Sequence, residues 1–275
     1  MDFYPRVGVK RDVSSKPSPD LYALRGLLGV RYVITTLAQQ QEFADAYGGY
    51  GYEYSFSDDT FAYFYNTNEL PMGFAYDKYI LLEQDAEEVA EAISDTPMQE
   101  AVESADEAPA EPTLMGLAEN VRGNMLVRAI ALTPEQIETY GHLMQPVTTQ
   151  DTQDLNYDTY KEDVAKRRLT AVSDFTADHT GFTAHITLDA ENLVFFSVPY
   201  DKGFTATVNG KEVTVERVSG GMSAVLCPAG ESEIVFTYET PGWHTAVIVT
   251  GAAIVVWAGY AAYSVYEKQR RRKHT

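Results

Sequence analysis

The chain has 275 residues, 21 Lys and Arg against 40 Asp and Glu for a formal charge of −19, and a single cysteine, Cys227. So acidic a chain repels nucleic acid, and a lone thiol excludes an intramolecular disulfide framework. Five of the basic residues and one of the acidic ones follow Tyr266, so residues 1–266 carry a formal −23.

The N-terminus, MDFYPRVGVKRDVSS, lacks an apolar stretch of the length a secretory signal needs. In residues 18–36, cap-type Ser18 and Asp20 precede Leu21, Leu24, Leu27 and Leu28 at helical spacing, and Val30, Tyr32, Val33 and Ile34 read as a strand. The spacing predicts a helix leading into a buried strand. Residues 37–47 read as a second short helix closed by Gly48 and Gly49. The runs YGYEYSF and FAYFYN around the polar turn at residues 57–60 read as a hairpin. Tyrosine rings on an exposed face of it would suit sugar stacking, while core and cross-strand packing is the commoner use of such residues.

From Glu83 to Pro112 there are eleven acidic residues and no basic one. That composition predicts a disordered, solvated insertion. Thr133, Pro134 and Gln136 together form a capping box with proline at the first helical position, predicting a helix from Pro134 to about Met144 that Pro146 stops. After a polar stretch, a short helix carrying Tyr160, Val164 and Arg168 leads into the last module. There Phe182, Ala184, Ile186 and Leu188 alternate with polar residues, and LVFFSV, FTATV, KEVTVERV, MSAVL and SEIVFTY follow between turns. Asn209-Gly210 is a type I′ hairpin signal, and strands at this spacing predict an antiparallel β-sandwich.

Residues 245–266 contain no charge and are followed by Glu267 and the basic run Lys268, Arg270, Arg271, Arg272 and Lys273. At about 1.5 Å per residue this reaches about 33 Å, enough to cross a hydrocarbon core of about 30 Å. Trp243, Trp257, Tyr263 and Tyr266 include residues placed to sit near the two interfaces, and the basic flank places the tail in the cytoplasm and residues 1–244 outside. Ala252, Gly259 and Ala262 give one side of the helix small residues suited to close helix packing. A C-terminal span with no preceding signal implies that earlier helices of a longer multi-pass protein carry out the export. The lipid bilayer and that missing N-terminal membrane part are thus the expected partners.

The organisation expected is α+β: a small α/β module over residues 1–82, an acidic insertion over 83–112, a helical segment over 113–168, a β-sandwich over 169–240, the transmembrane helix over 245–266, and a basic cytoplasmic tail over 267–275. The chemistry-bearing motifs are few. No G-x-S-x-G elbow, H-E-x-x-H, P-loop, paired-cysteine zinc motif or G-x-G-x-x-G after a strand occurs, so no catalytic residue, metal ligand or cofactor is assigned. His179 and His185 with Asp174 and Asp178 form the His/carboxylate cluster, but His185 falls on the polar face of a strand. Tyr200, Asp201, Lys202 and Phe204 lie on a turn between strands, and present the polar and aromatic groups that glycan sites use.

Several segments occur together in a recognisable order: LLGVRYVIT at 27–35, NELPMGFAYDKY at 68–79, MLVRAIALTPEQ at 125–136, LVFFSVPYDKGFTATVNGKEV at 193–213 and CPAGESEIVFTYETPGW at 227–243. In this the chain resembles the C-terminal part of the YfhO family of large bacterial multi-pass membrane proteins. The resemblance implies a GT-C-type glycosyltransferase that takes sugar from a polyprenyl-phosphate donor and decorates a cell-envelope polymer such as teichoic acid, with this region as a non-catalytic extracytoplasmic part. Phe204 stands where the family often has tryptophan, and the acidic insertion at 83–112 departs from the pattern. The alternative is a membrane-anchored, non-enzymatic module that binds carbohydrate or scaffolds the bacterial surface.

Overall fold

The computed structural model describes residues 3–7, 21–82 and 112–272; the acidic insertion expected at 83–112 therefore lies, all but Pro112, outside the described residues. In chain order the elements are α1 (Phe3–Arg6), α2 (Tyr22–Leu27), β1 (Tyr32–Thr36), α3 (Gln40–Tyr47), β2 (Tyr52–Ser57), β3 (Phe61–Asn66), β4 (Gly73–Ala75) and β5 (Lys78–Leu81). Then come α4 (Glu119–Arg128), β6 (Ile130–Leu132), α5 (Pro134–Tyr140), β7 (Gln145–Pro146), α6 (Thr149–Gln153), α7 (Tyr157–Leu169), β8 (Ser173–Ala177) and β9 (Gly181–Leu188). The last are β10 (Asn192–Pro199), β11 (Phe204–Val208), β12 (Lys211–Val213), β13 (Glu216–Val218), β14 (Met222–Cys227), β15 (Gly230–Tyr238) and α8 (Trp243–Arg272).

The alternation read at residues 182–188 is what makes β9 a sandwich strand. Phe182, Ala184, Ile186 and Leu188 are buried while their neighbours face outward. The strand sits in a five-stranded sheet of order β12-β11-β15-β9-β8, which packs on a four-stranded sheet of order β13-β14-β10-β4. The core between them includes Phe182, Ile186, Val208, Ile234 and Phe236 from the first sheet and Val194, Phe196 and Val225 from the second. The fold is α+β with this antiparallel sandwich as its largest sheet assembly. Asn209 and Gly210 take φ of 52° and 74°, the I′ geometry, and bring Lys211 opposite Val208. KEVTVERV, read as one strand, is two: β12 pairs in the first sheet and β13 in the second. The segment crosses between sheets at Thr214 and Val215.

Strand β10 explains its own uninterrupted apolar run. Val194 and Phe196 face the sandwich core, whereas Leu193 and Phe195 face a second core with Leu27 of α2, Met125 and Leu126 of α4, and Tyr160 of α7. A strand covered on both faces has no polar side to show. That second core also takes in Phe3 and Val7 and a small sheet of order β6-β5-β7, whose β5–β6 and β5–β7 pairings are parallel. Pairing joins distant segments: β4, at residues 73–75, is hydrogen-bonded to β10. The capping box at Thr133 and Gln136 forms as read. Beyond it, α7 runs for 13 residues, longer than the short helix expected, and its buried cation is Arg167, with Arg168 on the outside.

The hairpin β2–β3 forms, and β1 joins it to make a three-stranded sheet of order β1-β3-β2. Here one expectation fails. β1 is an edge strand with Tyr32 46% and Ile34 57% exposed, because α3 covers only the other face, through Phe43, Ala44 and Tyr47 against Tyr52, Ala62 and Phe64. At the far end of the chain, α8 has a window of mean hydropathy 1.8 and none of that window is buried in the protein. An apolar surface of that length left uncovered by protein is suited to lipid.

Candidate functional site beside the apolar helix

Tyr200, Asp201 and Lys202 lie on the turn between β10 and β11 and Phe204 opens β11, and the structure fastens that turn to the segment leading into the apolar helix α8. The Asp201 carboxylate accepts from the Gly203 amide at 2.8 Å, and the Phe204 amide donates to the Asp201 carbonyl at 3.1 Å. Gly203 is needed for close approach: a Cβ there would sit 2.3 Å from the Glu239 carbonyl oxygen. The Glu239 amide in turn donates to the Gly203 carbonyl at 2.9 Å. Only four residues separate β15, ending at Tyr238, from α8, beginning at Trp243. The turn is thus held within a few residues of the apolar helix.

The four side chains have different surroundings. Phe204 is half-buried, its ring meeting Tyr238 edge-on at 5.1 Å and Phe236 at 5.9 Å. Tyr200 is also half-buried, and its amide donates to the Gly221 carbonyl at 2.9 Å. Asp201 and Lys202 are exposed. The neighbouring turn is built on Asp178, whose carboxylate accepts from the amides of Thr180 and Gly181 at 2.6 and 3.1 Å. Hydrogen bonds from the Thr180 hydroxyl and amide hold the Asp178 carboxyl below its ordinary range. On the other side His244 contacts Glu239 at 2.9 Å. This end of the sandwich offers a phenol, carboxylates, an ammonium and an imidazole, groups able to make hydrogen bonds and charge contacts to a hydroxyl-rich or zwitterionic ligand.

The His/carboxylate cluster resolves into cross-strand neighbours. His185 lies about 4 Å from Asp174 on one side and Glu233 on the other, 4.0 and 3.9 Å respectively, while Asp178 is engaged in its own turn. Among the described residues no group of three or more His, Cys, Asp or Glu is placed to hold a metal ion. Cys227 is buried, and burial pushes its thiol up to about 12.

A polar seam escaped the sequence reading. A cleft of about 220 Å³ between β5, α4, α6 and α7 is lined by Asp77, Lys78, Arg128, Asp151, Asp163 and Arg167 among others. Lys78 pairs with Asp151 at 2.5 Å, Arg128 with Asp163 at 2.8 Å, and Arg167 with Asp77. Arg167 also lies over the Tyr76 ring, 4.9 Å from its centre, and donates to the Ala75 carbonyl at 2.8 Å. Burial pushes Asp151 upward, but the Lys78 ammonium and the Thr148 amide and hydroxyl outweigh it and hold the carboxyl at about 2. The partners are 35 to 90 residues apart in the chain, so no local motif announces them. Their mutual pairing marks a structural seam that pins α7 to β5 and α4.

Among the described residues one helix, α8, is long and apolar enough to cross a membrane, and it follows the sandwich after four residues, which supports membrane association. Residues 145–250, from β7 into α8, match the family described as bacterial membrane protein YfhO. No curated protein and no solved structure gave a match to the chain.

Proposed function

We propose that residues 1–244 stand outside a bacterial membrane and form the non-catalytic part of a sugar-transfer system, receiving the envelope polymer that is to be glycosylated. The donor in this reading is a polyprenyl-phosphate sugar and the acceptor a polymer such as teichoic acid, with catalysis residing in a partner membrane part of the same protein. The observation that supports it is the tether at Gly203 and Glu239, which keeps Tyr200, Asp201 and Lys202 close to the spanning helix. A lipid-linked sugar is confined to that level of the bilayer surface. The basic run after Tyr266 supports the orientation, since such flanks stay cytoplasmic.

Charge sharpens the expectation. A region carrying −23 repels a polyanion at long range, so recognition has to rest on sugar hydroxyls and on Lys202, and screening the repulsion with salt should strengthen it. The test is calorimetric titration of the full chain in detergent with teichoic-acid fragments. Saturable binding that holds or tightens as salt rises, and that drops at least about tenfold in Tyr200→Ala and Lys202→Ala, agrees with the reading. A folded full chain that takes up no envelope glycan overturns it.

A further inference from the structure

The sheet β1-β3-β2 has two edges of unlike character. On β2 the ladder is broken by a bulge between Tyr54 and Phe56, and Glu53 stands on the strand. These are devices that keep an edge from pairing with another chain. The remaining edges are guarded too: β8 has a bulge, β12 carries Lys211 and Glu212, β13 carries Glu216 and Arg217, β7 contains Pro146, and β4 and β6 are buried. β1, with sequence YVITT, is paired without a register shift and has no charge, proline or bulge.

Its hydrogen-bonding frame is open. The Asn66 amide donates to the Arg31 carbonyl and the Leu37 amide to the Thr60 carbonyl, so residues 31, 33, 35 and 37 are the ones that bond β3. In an antiparallel ladder the intervening residues face the other way. The amides and carbonyls of Tyr32 and Ile34, and the amide of Thr36, therefore point away from the sheet. Beside this edge runs a groove of about 540 Å³ between β1 and α3, lined by Val33, Thr35, Phe43, Ala46 and Tyr47 among others.

We propose that β1 is a homotypic interface, pairing antiparallel with β1 of a second copy about a two-fold axis at Ile34. In that register Ile34 bonds Ile34 of the second copy reciprocally, and each Thr36 amide donates to the opposite Tyr32 carbonyl. The two-fold keeps the faces matched, so Val33 and Thr35 of one copy enter the groove of the other. Two α3 helices centred under their β3 strands lie three strand spacings apart, about 14 Å. That exceeds the 8–10 Å of helices in contact, and leaves room for these side chains. The strand is uncharged and the groove beside it carries one acid, Glu42, and one base, Arg25, so two strongly acidic chains meet at a patch without net charge, and confinement to a membrane raises their local concentration.

Light scattering of the full chain in detergent tests this. The wild type should show a protein mass twice the 30.6 kDa of the chain at micromolar concentration. Ile34→Pro, which removes an outward amide that an edge strand can lose, and Ile34→Lys, at an exposed side chain, should each halve that mass with the circular dichroism unchanged. In parallel, the Thr36 amide should exchange at least about tenfold faster in Ile34→Lys than in the wild type. A wild type at the single-chain mass, or a double mass that survives both substitutions, overturns the proposal.

Discussion

The two aromatic-rich sheets of this molecule use the same residue types to opposite ends. In the sandwich, Phe182, Phe196 and Phe236 are buried against one another, with Phe182 and Phe236 stacked at 4.3 Å. In the sheet β1-β3-β2 the stacking pair is Phe56 and Tyr63, also 4.3 Å apart, yet Phe56 is 50% and Phe61 40% exposed. What differs is cover. A second sheet closes over the sandwich strands, while one eight-residue helix covers only one face of the smaller sheet. Because its exposed rings stack on each other, that open face is already partly satisfied, which weakens its use as a flat sugar platform.

Cover should set the largest effects. Phe196→Ala opens a cavity against Phe182 and Phe236 and should cost about 3–5 kcal/mol, whereas Phe61→Ala on the open sheet should cost less than about 1 kcal/mol. Urea unfolding of both variants measures the pair. Equal losses would mean that the open face is covered in solution, the outcome expected if a partner occupies it.

The same contrast explains what could be read from sequence. Alternation in β9, the unbroken apolar run of β10, the Asn-Gly turn and the Thr133 capping box are local signals, and each was legible. The exposure of β1 was not, since Val33, Ile34 and Tyr32 look alike whether a strand is central or at an edge. Nor were β4 and β5, short strands whose partners lie more than 50 residues away. The Tyr200–Phe204 turn was visible as a turn with polar and aromatic groups. Its attachment at Glu239 depends on β15 returning beside β11, which only the sheet order supplies.

The seam extends the comparison from apolar to charged groups. Asp163 is 5% exposed and its partner Arg128 12%. Asp163→Ala leaves the guanidinium with the Asp151 and Asp154 carbonyls alone, and should cost about 3 kcal/mol, the lower end for a broken buried pair because those acceptors remain. Thermal unfolding against the wild type checks it, and a loss below about 1 kcal/mol would mean that the seam is solvated.

The smallest effect separates covered from open carboxylates by acid. Asp151 in the seam is held at about 2, and Asp58, in the open hairpin, is lowered by the amides of Phe61 and Thr60 and the Tyr63 hydroxyl. Both folded-state values lie below the unfolded value, so each group contributes stability that is present above about pH 4 and is lost as pH falls through the folded value. Asp58 is fully exposed and its hydrogen bonds stay within the hairpin, whereas Asp151 joins α6 to β5 through Lys78. Acidification from pH 4 towards 2 should therefore act locally at Asp58, speeding exchange only at the Thr60 and Phe61 amides that its carboxylate holds, but across elements at Asp151, seen as faster amide exchange at Lys78 and Tyr79. Asp151→Asn should remove about 1 kcal/mol or less at pH 7, since solvent screens the pair, and should flatten the stability profile between pH 4 and 2. A variant whose acid profile overlays the wild type would take Asp151 out of the seam's energetics and leave Arg128 and Arg167 as its anchors.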